Sequence, residues 1–201
     1  DEFGNPTDDQ VIDFDDFVKL GDPNPDFTFS IGSEFSYKNW DMSILFTGQE
    51  GGDIFWVDSW QLSGLFRTRN HLLSSFNDSW KAPLSYSNGS VVYDPSAENI
   101  FGVTNPAAII DNGNRNTPSD RQVFDGSFVR LKNINLGYNF NFKNGNSLRL
   151  YISGQNLLTW TKYPGYDPEV RTYTKNPQKR GVDFGTYPGT KSYIFGLKFN
   201  Y

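Results

Sequence analysis

Residues 25–48 read PDFTFSIGSEFSYKNWDMSILFTG, and the spacing of their apolar side chains decides the fold class. In FTFSIGSEFSY, residues 27–37, the odd positions Phe27, Phe29, Ile31, Phe35 and Tyr37 are apolar, with only Ser33 breaking the row. The even positions carry Thr28, Ser30, Gly32, Glu34 and Ser36. A period of two is that of an extended strand with one apolar and one polar face. Lys38-Asn39 then supplies a two-residue turn, and in WDMSILFTG the apolar row resumes at Trp40, Met42, Ile44 and Phe46. A two-residue hairpin sets residues 37 and 40 opposite each other on one face, so the change from odd to even is what its register requires.

The same period recurs farther along. In SFVRLKNINLGYNF, Phe128 and then Ile134, Leu136, Tyr138 and Phe140 alternate with Asn133, Asn135, Gly137 and Asn139. The chain turns through Asn144-Gly145, and SLRLYISG places Leu148, Leu150 and Ile152 against Arg149, Tyr151 and Ser153. SYIFGLKFNY ends the chain with Tyr193, Phe195, Leu197, Phe199 and Tyr201 on one face. Residues 48–126 read as a long Gly-, Asn-, Ser- and Asp-rich connection, with a short helix expected in FRTRNHLLSSFNDSW and room for one more strand pair. A second Pro/Gly-rich loop is expected over roughly 157–190. Residues 1–26 read as an acidic surface loop. Its oxygens at Asp1, Asn5, Asp8, Asp9, Asp13, Asp15 and Asp16 invite a hard cation, but the EF-hand spacing is absent and a solvated loop is favoured.

Five amphipathic strands of about 9–11 residues predict an all-β antiparallel sheet. Ten residues tilted near 45° rise roughly 23 Å, close to the apolar band of an outer-membrane barrel. Following the chain up and down puts the short turns at 38–39 and 141–146 on one side and the long connections at 48–126 and 157–190 on the other. Tyr37, Trp40, Tyr138, Phe140, Phe199 and Tyr201 then gather near the short turns, as in a membrane girdle, while Glu34, Asp41, Arg149 and Lys198 lie on the opposite face. Five strands do not close, and unpaired backbone in hydrocarbon costs several kcal/mol per group, so these strands are expected to belong to a larger barrel. An acidic start at Asp1 in place of a Met agrees with a piece of a longer protein.

Composition excludes several kinds of chemistry. Among 201 residues, Lys and Arg number 18 and Asp and Glu 23, a net charge of −5 that disfavours gripping nucleic acid. Without Cys there are no disulfides, Cys-ligated zinc, iron–sulfur clusters or thiol catalysis. The single His71, near Asp78, excludes multi-histidine metal sites and stands without a Gly-x-Ser-x-Gly elbow. Acids are plentiful at Asp8, Asp9, Asp13, Asp15, Asp16, Glu50 and Asp53, but number alone sets no glycosidase pair. Neither an enzyme nor a cofactor is expected. No apolar run reaches the roughly 18 residues of a transmembrane helix, which leaves strands as the means of crossing.

Several segments together resemble the C-terminal part of the SusC/RagA family of TonB-dependent outer-membrane transporters of Bacteroidota. They are Leu20-Gly21 with Pro23 and Pro25-Asp26-Phe27, FSYKNWDMSILFTGQEGGDIF, SDRQVFDGSFVRLKNINLGYNF, LYISGQNLLTWTKYPGYDPEV and GVDFGTYPGTKSYIFGLKFNY. The resemblance covers essentially residues 1–201 as one barrel segment, and Gly126–Val170 is its most specific part. It implies a 22-stranded barrel with a plug, contact with TonB through an N-terminal part this sequence lacks, and a SusD-like surface lipoprotein that captures glycans or peptides. Long loops would be extracellular, short turns periplasmic, and the remaining partners outer-membrane lipid and the rest of the same barrel, with no nucleic acid. Tyr201 suits the terminal aromatic of the family. The acidic opening lacks most of the glycines of the corresponding family loop.

Trp56, Trp60, Trp80, Tyr86 and Tyr93 lie in or near the long connection. Their readings are packing within the loop or against a lipoprotein, stacking on a ligand, and a place in the girdle. In YPGYDPEV, Tyr163, Tyr166 and Asp167 are expected to shape their loop through Pro-Gly and Asp-Pro turns, with substrate contact as the alternative. The function expected is therefore import, of oligosaccharides in preference to peptides. A soluble all-β carbohydrate-binding module and a passive porin are the competing readings.

Overall fold

A computed structural model describes residues 17–63, 72, 73, 77, 84–87, 90–93, 119–170 and 179–201. The chain divides into two units, one of residues 21–55 and 123–201 and the other of residues 1–20 and 56–122. The first unit holds the expected strands: β1 (Pro25–Tyr37), β2 (Trp40–Gly51), β7 (Phe128–Asn141), β8 (Ser147–Thr161) and β10 (Ser192–Asn200). They form one antiparallel sheet in the order β1-β2-β7-β8-β10, so each strand lies beside its neighbour in this series and the sheet ends in β1 and β10.

The register follows from the turns. Tyr37 pairs with Trp40 across Lys38-Asn39, where Lys38 takes the left-handed φ of +53°. At the other tight turn Gly145 has φ +88°, Phe142 N–H donates to Asn146 O at 2.9 Å, and Asn141 pairs with Ser147. Trp40 pairs with Tyr138 and Tyr138 with Leu150, while Phe140, Leu148 and Phe199 occupy the next row. The rings of Trp40 and Tyr138 meet edge to face at 4.8 Å, and those of Tyr138 and Phe140 at 4.6 Å. Five of the six aromatics expected to share a level thus fall in these two adjacent rows, and Tyr201 follows the end of β10. Above them the apolar row is bare: Phe195, Leu197, Ile31 and Phe35 are 78, 71, 63 and 56% exposed.

Three strand readings need correction. β2 continues to Gly51, so the first long connection begins at 52, not 48. β8 continues to Thr161, so the second long loop begins at 162, not near 157. Gly154-Gln155-Asn156 interrupts the alternation, with Asn156 at φ +52°, but Leu158 and Trp160 restore it, and Trp160 lies 6.4 Å from Phe46. Phe128 does not share the face of Ile134. Between Leu131 and Asn133, β7 carries one more residue than β2, because Leu45 pairs with Asn133 and Phe46 with Leu131. Such a bulge reverses the parity that follows it. Leu131 and Val129 join the apolar row, and Phe128 pairs with Gln49 on the polar side, 8% exposed.

At the far end from the tight turns, Gly51 and Gly52, with φ of +73° and +83°, turn β2 into β3 (Asp53–Trp56). β3 pairs with β6 (Val123–Asp125) and receives β9 (Val182–Asp183) on its other side, making a small sheet in the order β6-β3-β9. The added Cβ of any residue at Gly126 would sit 2.3 Å from Gly52 O, so the close crossing of these two connections requires glycine there. Ile54, Phe128, Leu131 and Tyr163 are buried here, and the core of this unit sits at this end of the strands.

In the other unit, α1 (Val57–Ser63) follows β3, with Ser59 Oγ donating to Trp56 O at 2.6 Å. The open question of a further strand pair is answered by β4 (Leu84–Ser87) and β5 (Ser90–Tyr93), an antiparallel hairpin. Most of the helix expected over 66–80 lies outside the described residues, as do the acidic positions 1–16.

Candidate functional site

Alternation sends every second side chain of the five-stranded sheet to its polar face, where two groups of charged residues form. Near the tight turns, Arg149 of β8 reaches over β7 to Asp41 of β2: Nη2 donates to Oδ2 at 2.5 Å and Nε to Oδ1 at 3.2 Å. Asn139 Nδ2 adds a bond to Asp41 Oδ1 at 3.0 Å. The bridge passes over Gly137, where a Cβ would lie 2.7 Å from both the guanidinium and the carboxylate. Farther up, Asn135 Nδ2 donates to Ser43 Oγ at 2.9 Å. Glu34, Ser36, Asp41, Arg149 and Tyr151 line a depression of about 610 Å³ on this face.

The second group is buried where the sheet meets its loops. Arg130 is 3% exposed, and β7 aims it at the loop after β8. Its Nη2 donates to Asp167 Oδ1 at 2.5 Å, Nη1 to Glu169 Oε2 at 3.0 Å and Nε to Thr159 Oγ1 at 3.0 Å, while its guanidinium lies 5.3 Å from the Phe128 ring. Asp167 also accepts the backbone N–H of Glu169 on Oδ1 and of Gly189 on Oδ2, each at 2.9 Å. Burial raises the Asp167 carboxyl, but the N–H groups of Gly189 and Glu169 and then Arg130 outweigh it and hold it below the ordinary carboxylate value. Asp183, fully buried, joins the two ends of the connection after β8 a second time through its Oδ2, which accepts the Tyr163 hydroxyl at 2.6 Å, and its Oδ1 accepts the N–H of Thr186 in its own turn at 2.9 Å. At the edge of the small sheet, the hydroxyl and N–H of Ser127 lower the Asp125 carboxyl.

The residues singled out from sequence are thus spread over both units. Trp56 is buried at the end of β3. Trp60 belongs to α1, and Tyr86 and Tyr93 to the β4–β5 hairpin, where Tyr86 pairs with Val91 and Tyr93 with Leu84; the side chains of these three are outside the described set. Trp80, His71 and Asp78 lie outside the described residues. Tyr163 and Tyr166 sit three residues apart with opposite fates, 4% and 73% exposed. Asp53 is occupied structurally, accepting the Asp22 N–H on Oδ2 at 2.8 Å. Sequence reasoning passed over Arg130, Asp183 and Gly189. A visible signal was Arg130 with apolar residues on both sides, Phe128 and Val129 before it and Leu131 after it.

No family model matches the chain. Over 191 residues it is 35% identical to TonB-dependent receptor P3 of Formosa agariphila, a match covering 90% of this chain and 17% of that protein. It is 34% identical over 90 residues to TonB-dependent receptor SusC of Bacteroides thetaiotaomicron, covering 41% of this chain and 8% of that receptor. Among solved structures, the RagAB peptide importer in its closed-closed state superposes with a TM-score of 0.71 at 19% identity, over 98% of this chain and 20% of that one. The open-open state gives 0.55 at 22% identity, over 87% and 17%. The chain therefore spans about a fifth or less of the length of the proteins it matches, and the likeness to the solved structures is one of fold.

Proposed function

We propose that this chain, a SusC/RagA-like segment of a TonB-dependent receptor, supplies C-terminal strands and loops to a 22-stranded outer-membrane barrel that imports oligosaccharides with a SusD-like surface lipoprotein. The observation that carries this reading is the five-stranded sheet itself, which ends in β1 and β10 and has a bare apolar row on one face. Hydrocarbon accepts such a row only if the edges pair with further strands, as a closed barrel provides. A soluble carbohydrate-binding module would instead need a second sheet over that row. A passive porin would lack a plug and a TonB contact, both of which belong here to parts of the receptor beyond this sequence.

In this orientation the turns at 38–39 and 141–146 are periplasmic and the connections at 52–127 and 162–191 extracellular. The polar face with Asp41 and Arg149 faces the lumen. The receptor works by binding and passage, without chemistry on its cargo, and the relatives named above are receptors and importers. Trp60, Trp80, Tyr86 and Tyr93 serve the lipoprotein or the cargo from the longer connection and Tyr166 from the shorter, while Trp56 and Tyr163, both buried, pack within their own connections. A peptide cargo is the second reading, favoured by the likeness to a RagAB peptide importer.

The test is deletion of part of residues 88–116 in the full-length receptor. With the truncated protein at normal outer-membrane level, lipoprotein pull-down or oligosaccharide uptake should fall. Both unchanged would remove this connection from either step. Uptake of peptides but not of oligosaccharides by the intact strain would install the second reading.

A further inference from the structure

The tripeptide Tyr-Pro-Gly occurs twice, at 163–165 and 187–189, and the two copies are used in opposite ways. Tyr163 is buried with its hydroxyl on Asp183, whereas Tyr187 is 83% exposed, more than Tyr166. The exposed pair is joined through the buried group beneath it. Tyr166 precedes Asp167, whose Oδ2 accepts the Gly189 N–H at 2.9 Å, and Tyr187 stands two residues before that glycine. A Cβ at Gly189 would lie 3.3 Å from Asp167 Oδ2 and 3.6 Å from Arg130 Nη1, so the backbone there rests on the ion pair. The Tyr163 hydroxyl on Asp183 joins the segments 163–167 and 183–189 a second time, and the Thr186 N–H on the same carboxylate fixes the backbone just before Tyr187. Both tyrosines thus project from backbone that is fixed at two points, and little conformational freedom remains to be lost when a ligand is bound.

Their surroundings define what they fit. Among the described residues neither ring packs against another aromatic ring. Pro164, Gly165, Thr186 and Pro188 flank them without charge, and the Asp167 carboxylate beside Tyr166 is occupied by Arg130 and two backbone N–H groups. Two exposed rings with polar tips and uncharged flanking residues suit a ligand with apolar C–H faces and a rim of hydroxyls, which describes a neutral sugar ring. We propose that Tyr166 and Tyr187 form a two-ring platform that stacks on the pyranose rings of an uncharged oligosaccharide at the loop end of the sheet. This rests on the oligosaccharide reading of the cargo and adds Tyr187 and the pairing of the two loops to it.

The experiment uses the full-length receptor in detergent and calorimetric titration with maltoheptaose, laminariheptaose and cellohexaose, beside an uncharged hexapeptide blocked at both ends. The intact receptor should bind at least one of the sugars, and Tyr166→Ala and Tyr187→Ala should each weaken that binding about tenfold, the range of an aromatic anchor. Tyr166→Phe and Tyr187→Phe keep the ring and should stay within about threefold, with unchanged thermal unfolding in all variants. Sugar binding that survives the double alanine variant unchanged would overturn the platform while leaving sugar import standing. Binding of the peptide alone by the intact receptor would overturn both.

Discussion

Replacing Arg130 with Met should loosen both ends of the shorter connection without unfolding the sheet. The substitution keeps an unbranched apolar stem of similar reach and removes three charge-assisted donors: Nη2 to Asp167, Nη1 to Glu169 and Nε to Thr159. The side chains of Arg130 and Asp167 are only 4% and 9% exposed, so the deletion strands a carboxylate away from water. Breaking a buried pair from one side costs about 3–5 kcal/mol. Asp167 keeps the N–H groups of Glu169 and Gly189, and Glu169 reaches solvent with its side chain 36% exposed, which places this case at the lower end, about 3 kcal/mol. That corresponds to roughly a hundredfold rise in the open population of residues 162–170 and 183–191. Hydrogen exchange on the full-length receptor reads it directly. The amides of Glu169 and Gly189, which donate to Asp167, should lose about two orders of protection, while those of β2 and β7 near the tight turns stay as they were. Equal protection at Glu169 and Gly189 in both proteins would refute the reasoning. The double variant Arg130→Met/Asp167→Asn should lose less than the sum of the singles, since it leaves no buried charge unpaired.

The same amides report a pH dependence. Because the folded Asp167 carboxyl lies below its ordinary value, its contribution is present above the unfolded pKa of about 3.9 and disappears as pH falls through the lower folded value. Exchange at Glu169 and Gly189, corrected for its intrinsic rate, should therefore show constant protection from pH 8 to about 5 and a loss only below about pH 4, whereas loss near neutrality would contradict it. Arginine substitutions should follow the two faces: at Phe29, Ile44 or Leu136 they should block assembly or cost about 2–4 kcal/mol near the bilayer midplane, and at Ser30, Ser43 or Asn135 they should be mild. Equal outer-membrane yield and heat stability for both sets would reverse the face assignment.

The parts of this fold that could be read from sequence are those governed by neighbours two residues apart. The 37/40 pairing and the exposure of Phe35, Phe195 and Leu197 follow from alternation, which resumes in step at Phe35 after the single interruption at Ser33. The errors fell where the backbone adds or drops a residue. The extra residue between Leu131 and Asn133 reversed Phe128, and the left-handed Asn156 hid the last residues of β8 from any reading that expects strict alternation. The buried group was illegible for a different reason. Arg130 lies 37 residues from Asp167, and Tyr163 lies 20 from Asp183, so no local period links them. The two Tyr-Pro-Gly copies were in plain view, yet nothing in the tripeptide says that one tyrosine is enclosed and the other presented. That difference depends on Asp183, which only the folded chain brings under Tyr163.

The polar face raises a problem that its glycines resolve. Arg149 stands directly opposite Lys198 of β10 in the register, and like charges facing each other across a ladder are destabilising. On its other side Arg149 faces Asn139, which offers no charge. The nearest acid, Asp41, is a full strand farther away, and the guanidinium reaches it only because position 137 between them has no side chain. Tyr151, with Arg149 5.2 Å from its ring, is accommodated on the opposite flank by a second glycine: a Cβ at Gly196 would lie 2.2 Å from the ring. The Asp41–Arg149 pair is about one-third exposed on each side, so it adds at most about 1 kcal/mol to stability. Its larger effect is on where the charge lies. By leaning over Gly137 toward Asp41, Arg149 withdraws from Lys198, and the face presents a neutralised pair near β2 and a lysine near β10. A side chain at position 137 would push the guanidinium back toward Lys198 and leave the Asp41 carboxylate with Asn139 as its remaining partner, so the charge pattern of this face is set by a residue that carries no charge.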